Sequence, residues 1–390
     1  MARIVFGWEF GASLGHIYPM LRIADVLKER GHEILFVCRD VERPFDVIKA
    51  RGYALIQAPF WKNPPIANLR SIPTPGYADV LARQGFGYRQ TLKCMLSAWD
   101  DLLISLKPDL IIADHSPGLN LAVRGSIPLI NIGNGFTLPP SQMETFPPII
   151  ARGKPLVSSQ GLLNLFNDLQ KERGKPVYER LPQIFEADGE FACTLPQLDP
   201  YAKFRDKPVC GPLEDSMKAV PLPSESHIFV YMANEAEDSE LVLKAVQKTG
   251  CPATAYIRGA STERRKTYQS DRLEMLDRPV DFSDMLPKAS LVIHSGGGGT
   301  ATSCLMVGRA QIMFPRQSES SLTGRLLSAQ ELARVIPKGT SIDDLASVIQ
   351  KTLVNQAMQE RCNQVAKALS AGDWTSALSR ITDRVEELVR

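Results

Sequence analysis

"LVIHSGGGGTATSCLMVG", residues 291–308, passes from a short apolar run through a histidine and four glycines into a helix-compatible stretch. Leu291, Val292 and Ile293 have the continuous apolar character of a strand buried in a parallel sheet, and 301–307 continues as a helix. The glycines at 296–299 let a backbone approach a ligand closely. Free N–H groups and the dipole at the start of the following helix favour an anion such as phosphate. Thr300 is placed either to cap that helix or to give its hydroxyl and N–H to the same anion. No lysine follows the glycines, so this is not a Walker loop, and it lacks the spaced glycines and downstream acid of the dinucleotide fingerprint. Taken alone, a plain flexible turn is the competing reading.

Working outward, strand-like and helix-like segments alternate on both sides of the loop. Strands are expected at 227–231, 253–257 and 311–314, with a short edge near Val280 and a helix over 239–249. The acidic residues Glu235, Glu237, Asp238 and Glu240 read as a solvated helix start. The first third repeats the rhythm: strands at 3–8, 33–38, 110–113 and 129–132, and helices at 16–30 and 118–123. Gly31 closes the first helix. Strand, helix, strand in series implies an α/β fold with a parallel sheet and right-handed crossovers. Two stretches break the pattern, 58–76 and 137–155, each with five prolines. They read as binding loops, against the alternative of inert packed surface loops. The proline-rich stretch 208–223 reads as a linker, dividing the chain into domains 1–212 and 213–390, with the last helix expected to pack back on the N-terminal domain.

Composition agrees with two ordinary domains: 390 residues, 44% hydrophobic. A net charge of +2 gives no electrostatic reason to expect nucleic acid or an acidic membrane as partner. No apolar run approaches the roughly 20 residues that span a bilayer, and near the start Arg3 and Glu9 flank a run too short for a secretory signal. A soluble, cytoplasmic protein without stable membrane insertion is the expectation. Seven dispersed cysteines, none in a C-x-x-C pair, argue for reduced thiols and against a zinc site.

Two motifs carry a family resemblance. "GHIYPML", residues 15–21, after the first strand resembles the start of family 1 glycosyltransferases of the GT-B fold, enzymes of the UDP- or TDP-sugar-dependent natural-product type. "HSGGGGT", residues 294–300, is similar to their H-x-G-G-x-G-T nucleotide-sugar motif. "PDLIIAD" at 108–114 and "CGPL" at 210–213 fall where that family has similar pieces. The resemblance implies two Rossmann-like domains facing across a cleft, acceptor on the N-terminal half and donor on the C-terminal half. It assigns the diphosphate to His294 and the backbone around Gly296, Gly297, Gly299 and Thr300, the base to 280–282 with Phe282 as a side wall, and sugar hydroxyls to Glu319, with Ser320 beside it in the donor site. The implied activity is inverting, metal-independent hexosyl transfer. It needs no cofactor beyond the nucleoside-diphosphate sugar co-substrate, and its partners are that donor and a small-molecule acceptor.

His16 stands on its own residue-level argument as well. A histidine at the mouth of the first strand is where open α/β sheets bind ligands, and its ordinary pKa near 6.5 suits it to take a proton from a hydroxyl. Asp114 ends another strand and matches the family's aspartate that orients this histidine; His115 beside it is the alternative partner, and Glu9 the alternative base. His32 and His227 read as structural. Trp61, Tyr77, Phe86, Tyr88 and Phe136 suggest an apolar or aromatic acceptor, with Trp61 and Phe136 as the acceptor-binding candidates, or else belong to the core.

Three features depart from the family pattern. Glu319 is followed by Ser320 where a glutamine is usual, Glu235 and Ala236 replace a usual Gly-Ser, and the first loop, "WEFGASLGH", is longer and more aromatic. They leave two rivals: a degenerate glycosyltransferase-like partner protein, and another GT-B enzyme such as a nucleotide-sugar 2-epimerase.

Overall fold

Helix and strand alternate through the first unit because apolar runs of strand length are separated by segments with one apolar face. In chain order these are β1 (Arg3–Trp8), α1 (Ile17–Glu29), β2 (Glu33–Cys38), α2 (Phe45–Lys49), β3 (Ala54–Gln57), α3 (Tyr77–Leu81), α4 (Arg89–Leu106), β4 (Leu110–Asp114), α5 (Pro117–Val123), β5 (Leu129–Gly133), α6 (Ser159–Glu172) and β6 (Gly189–Ala192). The strands form one parallel sheet in the order β3-β2-β1-β4-β5-β6. On α1, Ile17, Met20, Leu21, Ala24 and Leu27 recur at helical spacing and join Ile4, Phe6 and Phe36 of the sheet in one core. Gly31, at φ +90°, turns the chain out of α1 into β2. The computed structural model describes residues 1–11, 14–60, 76–149, 154–213, 217–233, 238–372, 374 and 376–390.

The second unit repeats the plan with β7 (Ile228–Ala233), α7 (Ser239–Thr249), β8 (Ala253–Arg258), α8 (Thr262–Tyr268), β9 (Leu273–Leu276), α9 (Phe282–Met285), β10 (Leu291–His294), α10 (Gly298–Val307), β11 (Ala310–Met313), α11 (Ser318–Ala329), β12 (Ala333–Val335), α12 (Ile342–Leu353) and α13 (Gln356–Ala371). Its parallel sheet runs β12-β11-β10-β7-β8-β9. Read from the first strand of each half, both sheets have the Rossmann order, with a switch point between the first and fourth strands. The edge strand expected near Val280 is instead β9, ending at Leu276. Pro279 has no N–H for a ladder, and Asp281 caps α9 by accepting from Ser283 N at 2.8 Å.

The compact units are Met1–Leu213 with Thr375–Arg390, and Glu214–Trp374, so the boundary falls inside the proline-rich stretch 208–223. The second unit ends at Trp374, not at the chain terminus. The last helix, α14 (Ala377–Leu388), belongs to the first unit, where Ile381 and Val385 are fully buried in the core with α1. Two such side chains contribute about 3 to 6 kcal/mol. That outweighs the helix's exposed ion pair, Arg30 to Asp383. In the second unit the buried Arg309 donates to the carbonyls of Val220, Pro221, Leu286 and Pro287, tying the incoming segment to the end of α9. Among the described residues, no helix is long and apolar enough to cross a membrane.

Candidate active site

At the switch point of the first sheet, Trp8 of β1 and Asp114 of β4 are direct cross-strand neighbours. The loop after β1 brings His16 to the head of α1, where its Nδ1 lies 3.0 Å from Asp114 Oδ2. Both side chains are buried. Because a carboxylate accepts, Nδ1 carries the proton and the Nε2 lone pair faces the other way. The Trp8 indole stacks on the imidazole at 5.6 Å between centroids. Gly11, at φ +105°, lies against Nε2: a Cβ there would come within 2.5 Å of it. Glycine is therefore required twice, by the backbone and by the space at the ring edge.

The two alternatives in the sequence have other places. Glu9 is buried, and burial raises its carboxyl to about 7 against the opposing pull of its hydrogen bonds. It accepts from Trp99 Nε1 at 2.7 Å, Gly118 N at 2.6 Å and Leu119 N at 3.2 Å, so it clamps the N-terminus of α5. His115, at φ +47°, is buried with Phe10, Tyr77 and Phe136 around it at 5.2, 6.0 and 6.2 Å. Burial first, and repulsion from the His16 ring when that is protonated second, hold its pKa well below 6.5, so it stays neutral. It is Asp114 that bonds His16 Nδ1. Phe136 is 8% exposed and packs on Tyr77 and His115, so its ring belongs to the wall behind His16 and not to an open surface. Tyr77 and Phe86 are core residues. Trp61 lies outside the described residues.

In the second unit β10 and β7 meet at the other switch point, with His294 opposite Tyr231. His294 is buried, and burial lowers its pKa to about 4. Its Nδ1 accepts from Gly296 N at 3.1 Å, so Nε2 carries the proton and donates to Gln311 Oε1 at 2.9 Å. Both ring nitrogens are occupied within the unit, and the histidine holds the first glycine of the loop. Gly296 turns at φ +84°, and a Cβ there would sit 3.2 Å from Ser320 Cβ and Met313 Cε. Gly297 is the extended N-cap of α10, so Gly298, Gly299 and Thr300 form its first turn. Thr300 is thus not the cap. The first-turn amides have no intrahelical partner and point out with the positive end of the dipole. Gly297 and Gly299 are exposed, whereas Ala301, Cys304 and Leu305 anchor the helix in the core.

Flanking the loop, Phe282 opens α9 and meets Tyr231 edge-to-face at 4.9 Å. Tyr231 went unnoticed in the sequence because it reads as one more apolar strand residue; only the register with His294 marks it. Glu319 lies in the first turn of α11. Ser320 Oγ accepts from Gln317 N at 3.2 Å and donates to Gln317 O at 3.1 Å, so its hydroxyl caps the helix. Asp238, expected in solvent, is buried and pairs with Arg316 at 2.5 Å. No charge pattern along the chain marks that pair. Glu235 and Ala236 lie outside the described residues.

No protein-family model matches the chain. A stretch of 114 residues is 27% identical to "UDP-sugar-dependent glycosyltransferase 52" of Dictyostelium discoideum, covering 29% of this chain and 7% of that protein. Among solved structures, the calicheamicin glycosyltransferase CalG4 superposes with a TM-score of 0.70 at 17% identity, over 100% of this chain and 98% of its own. The glycosyltransferase VinC in complex with dTDP gives a TM-score of 0.65 at 14% identity, over 99% of both chains. Two doubly wound units in one chain, matched along their whole length by these enzymes, are the two-domain α/β GT-B fold.

Proposed function

We propose that the protein is a glycosyltransferase that moves a sugar from a nucleoside-diphosphate donor to a hydroxyl of a small acceptor, inverting the configuration at C1. The observation that carries this reading is the His16–Asp114 hydrogen bond of 3.0 Å, placed at the C-terminal edge of the first sheet where its strand order reverses. Support comes from the second unit, whose corresponding edge carries a glycine-rich helix start, a geometry that suits an anion, and from VinC, a protein of the same fold whose structure holds dTDP.

In this reading His16 Nε2 takes the acceptor's hydroxyl proton as the acceptor oxygen bonds to C1. The bond from C1 to the diphosphate oxygen breaks with its electron pair. Asp114 keeps Nδ1 protonated and stabilises the imidazolium. The amides of the first turn of α10 neutralise the leaving diphosphate, a task a divalent ion performs elsewhere, so the step is proposed to need no metal. His294 acts one step back, by fixing Gly296. Phe282 and Tyr231 border the base, and Glu319 meets the sugar.

The test is calorimetry with uridine and thymidine diphosphates, followed by turnover of the matching donors with an alcohol acceptor in the presence of chelator. Binding and chelator-resistant transfer are expected. No affinity for either nucleotide at millimolar concentration overturns the donor site, and epimerisation without acceptor replaces the proposed reaction.

A further inference from the structure

The first unit has a cavity of about 480 Å³ whose lining includes Gly11, Arg39, Asp40, Glu42, Gln57 and Phe60. That volume lies within the range of small-molecule sites. Gly11, one of its lining residues, lies against His16 Nε2, on the ring edge that faces away from Asp114.

Arg39 is firmly placed there. Its N–H donates to Trp8 O at 2.8 Å, joining it to the strand that carries the indole stacked on His16, and its carbonyl accepts from Gln57 Nε2 at 2.5 Å. Its guanidinium is half-buried, yet its hydrogen bond goes to a neutral group, Gln84 Oε1 at 3.0 Å, and one face lies over the Phe60 ring at 5.8 Å. Among the described residues no carboxylate stands within ion-pair distance of it. The nearby acids have other roles. Glu9, whose charge acts on Arg39, is held by Trp99, Gly118 and Leu119; Asp40 and Glu42 line the cavity, with Asp40 accepting from the amides of Glu42 and Arg43 and pairing with Arg43 at 3.5 Å, and Glu42 exposed. A partly desolvated guanidinium with most of its five N–H donors unspent and an aromatic wall beside it is suited to a planar oxyanion held by two parallel bonds.

We propose that this cavity takes a carboxylate carried by the acceptor, with Arg39 as the anchoring residue. The acceptor class is then hydroxylated carboxylic acids, in which Arg39 holds one end and the hydroxyl reaches His16. The assignment of that hydroxyl as the transferred group rests on the glycosyltransferase reading above; the carboxylate site does not.

Binding to the full-length protein tests it, with probes matched except for charge: 4-hydroxybenzoate and 4-hydroxycinnamate against their primary amides, by saturation-transfer titration, with inorganic phosphate as a further arm. The acids are expected to bind about 10- to 100-fold more tightly than the amides, the usual worth of a charge-assisted hydrogen bond. Arg39→Gln should erase that difference without changing amide affinity, and Arg39→Lys should keep part of it. Equal binding of acid and amide, absence of binding by all four, persistence of the acid preference in Arg39→Gln, or phosphate competing as well as the acids each overturns the proposal. Melting curves show whether a variant is folded, and Gly11→Ala, which crowds His16 from the same cavity, should weaken acid and amide alike. Uridine diphosphate titrated in the same preparation separates the two ideas. Arg39-dependent acid binding with no nucleotide affinity keeps the site and removes the transferase, whereas nucleotide binding without acid preference does the reverse.

Discussion

Trp8 and Asp114 face each other in register across β1 and β4, and the indole of the first stacks on the imidazole that the second holds. The orientation of His16 is therefore set from two sides by one pair of strand residues. Neither partner can shift without moving the sheet, which is how a doubly wound fold pre-organises a group at its switch point.

His16→Ala should lower kcat by roughly 10²- to 10⁴-fold, the usual worth of a positioned general base, with donor affinity little changed. Asp114→Asn should cost less, because the imidazole remains, and the two losses should not add. Steady-state kinetics across pH checks this: the wild-type kcat/KM should rise through one ionisation that is missing in His16→Ala. Near-normal turnover of that variant on its own acceptor would take the base away from His16.

In the second unit, His294→Ala should weaken uridine or thymidine diphosphate binding by about tenfold or more, although the ring is buried and both nitrogens are occupied by Gly296 and Gln311. The loss comes from the freed Gly296 amide and a loosened loop. Gln311→Leu, which touches only the far nitrogen, should reproduce part of it in the same calorimetry. Unchanged affinity in both variants would mean that the loop keeps its shape without the histidine.

Burial of His294 also predicts a pH dependence of stability. Its folded pKa of about 4 lies below the unfolded value near 6.5, so between these the unfolded chain binds the extra proton. The contribution is complete above pH 6.5 and is lost as pH falls toward 4, by about 3 kcal/mol at most. Glu9 acts in the opposite sense: raised to about 7, it contributes below pH 4.5 and fades as pH rises through 7. Denaturant midpoints of wild type and His294→Asn from pH 7 to 4.5 isolate the histidine. The variant, weaker throughout, should show the smaller drop on acidification, and parallel curves would contradict the burial argument.

Glu319→Ala should raise donor KM and lower turnover while leaving free nucleoside diphosphate binding nearly unchanged, because in this reading the carboxylate meets only the sugar. Ser320→Ala, in contrast, should cost about 1 kcal/mol of stability through the lost cap of α11 and little in donor selectivity. A shift of nucleotide affinity in Glu319→Ala would place that side chain elsewhere.

Local chemistry was sufficient for much of this protein. The alternation of apolar strands with amphipathic helices, the glycine at each turn, and the run from Leu291 through four glycines into a helix specify two α/β halves with parallel sheets and a glycine turn ahead of a helix, because backbone freedom and hydrophobic period are properties of neighbouring residues. The His16–Asp114 pairing was legible through a motif resemblance, not through spacing. Tertiary structure decided what local reading has no access to: which polar atom meets which. Glu9 reads as a spare base until Gly118, Leu119 and Trp99 close on it, and Asp238 reads as a solvated acid until Arg316 reaches it. Ser320 reads only as a replacement for the family's glutamine until its hydroxyl turns back on Gln317 and caps α11. Likewise Arg39 is one cation among many until the strand register ties it to Trp8 beside an open cavity. Each of these roles depends on burial and on a partner distant in the chain or on the local turn, and the cost of leaving a buried polar group unpaired selects among partners only once the fold has brought them together.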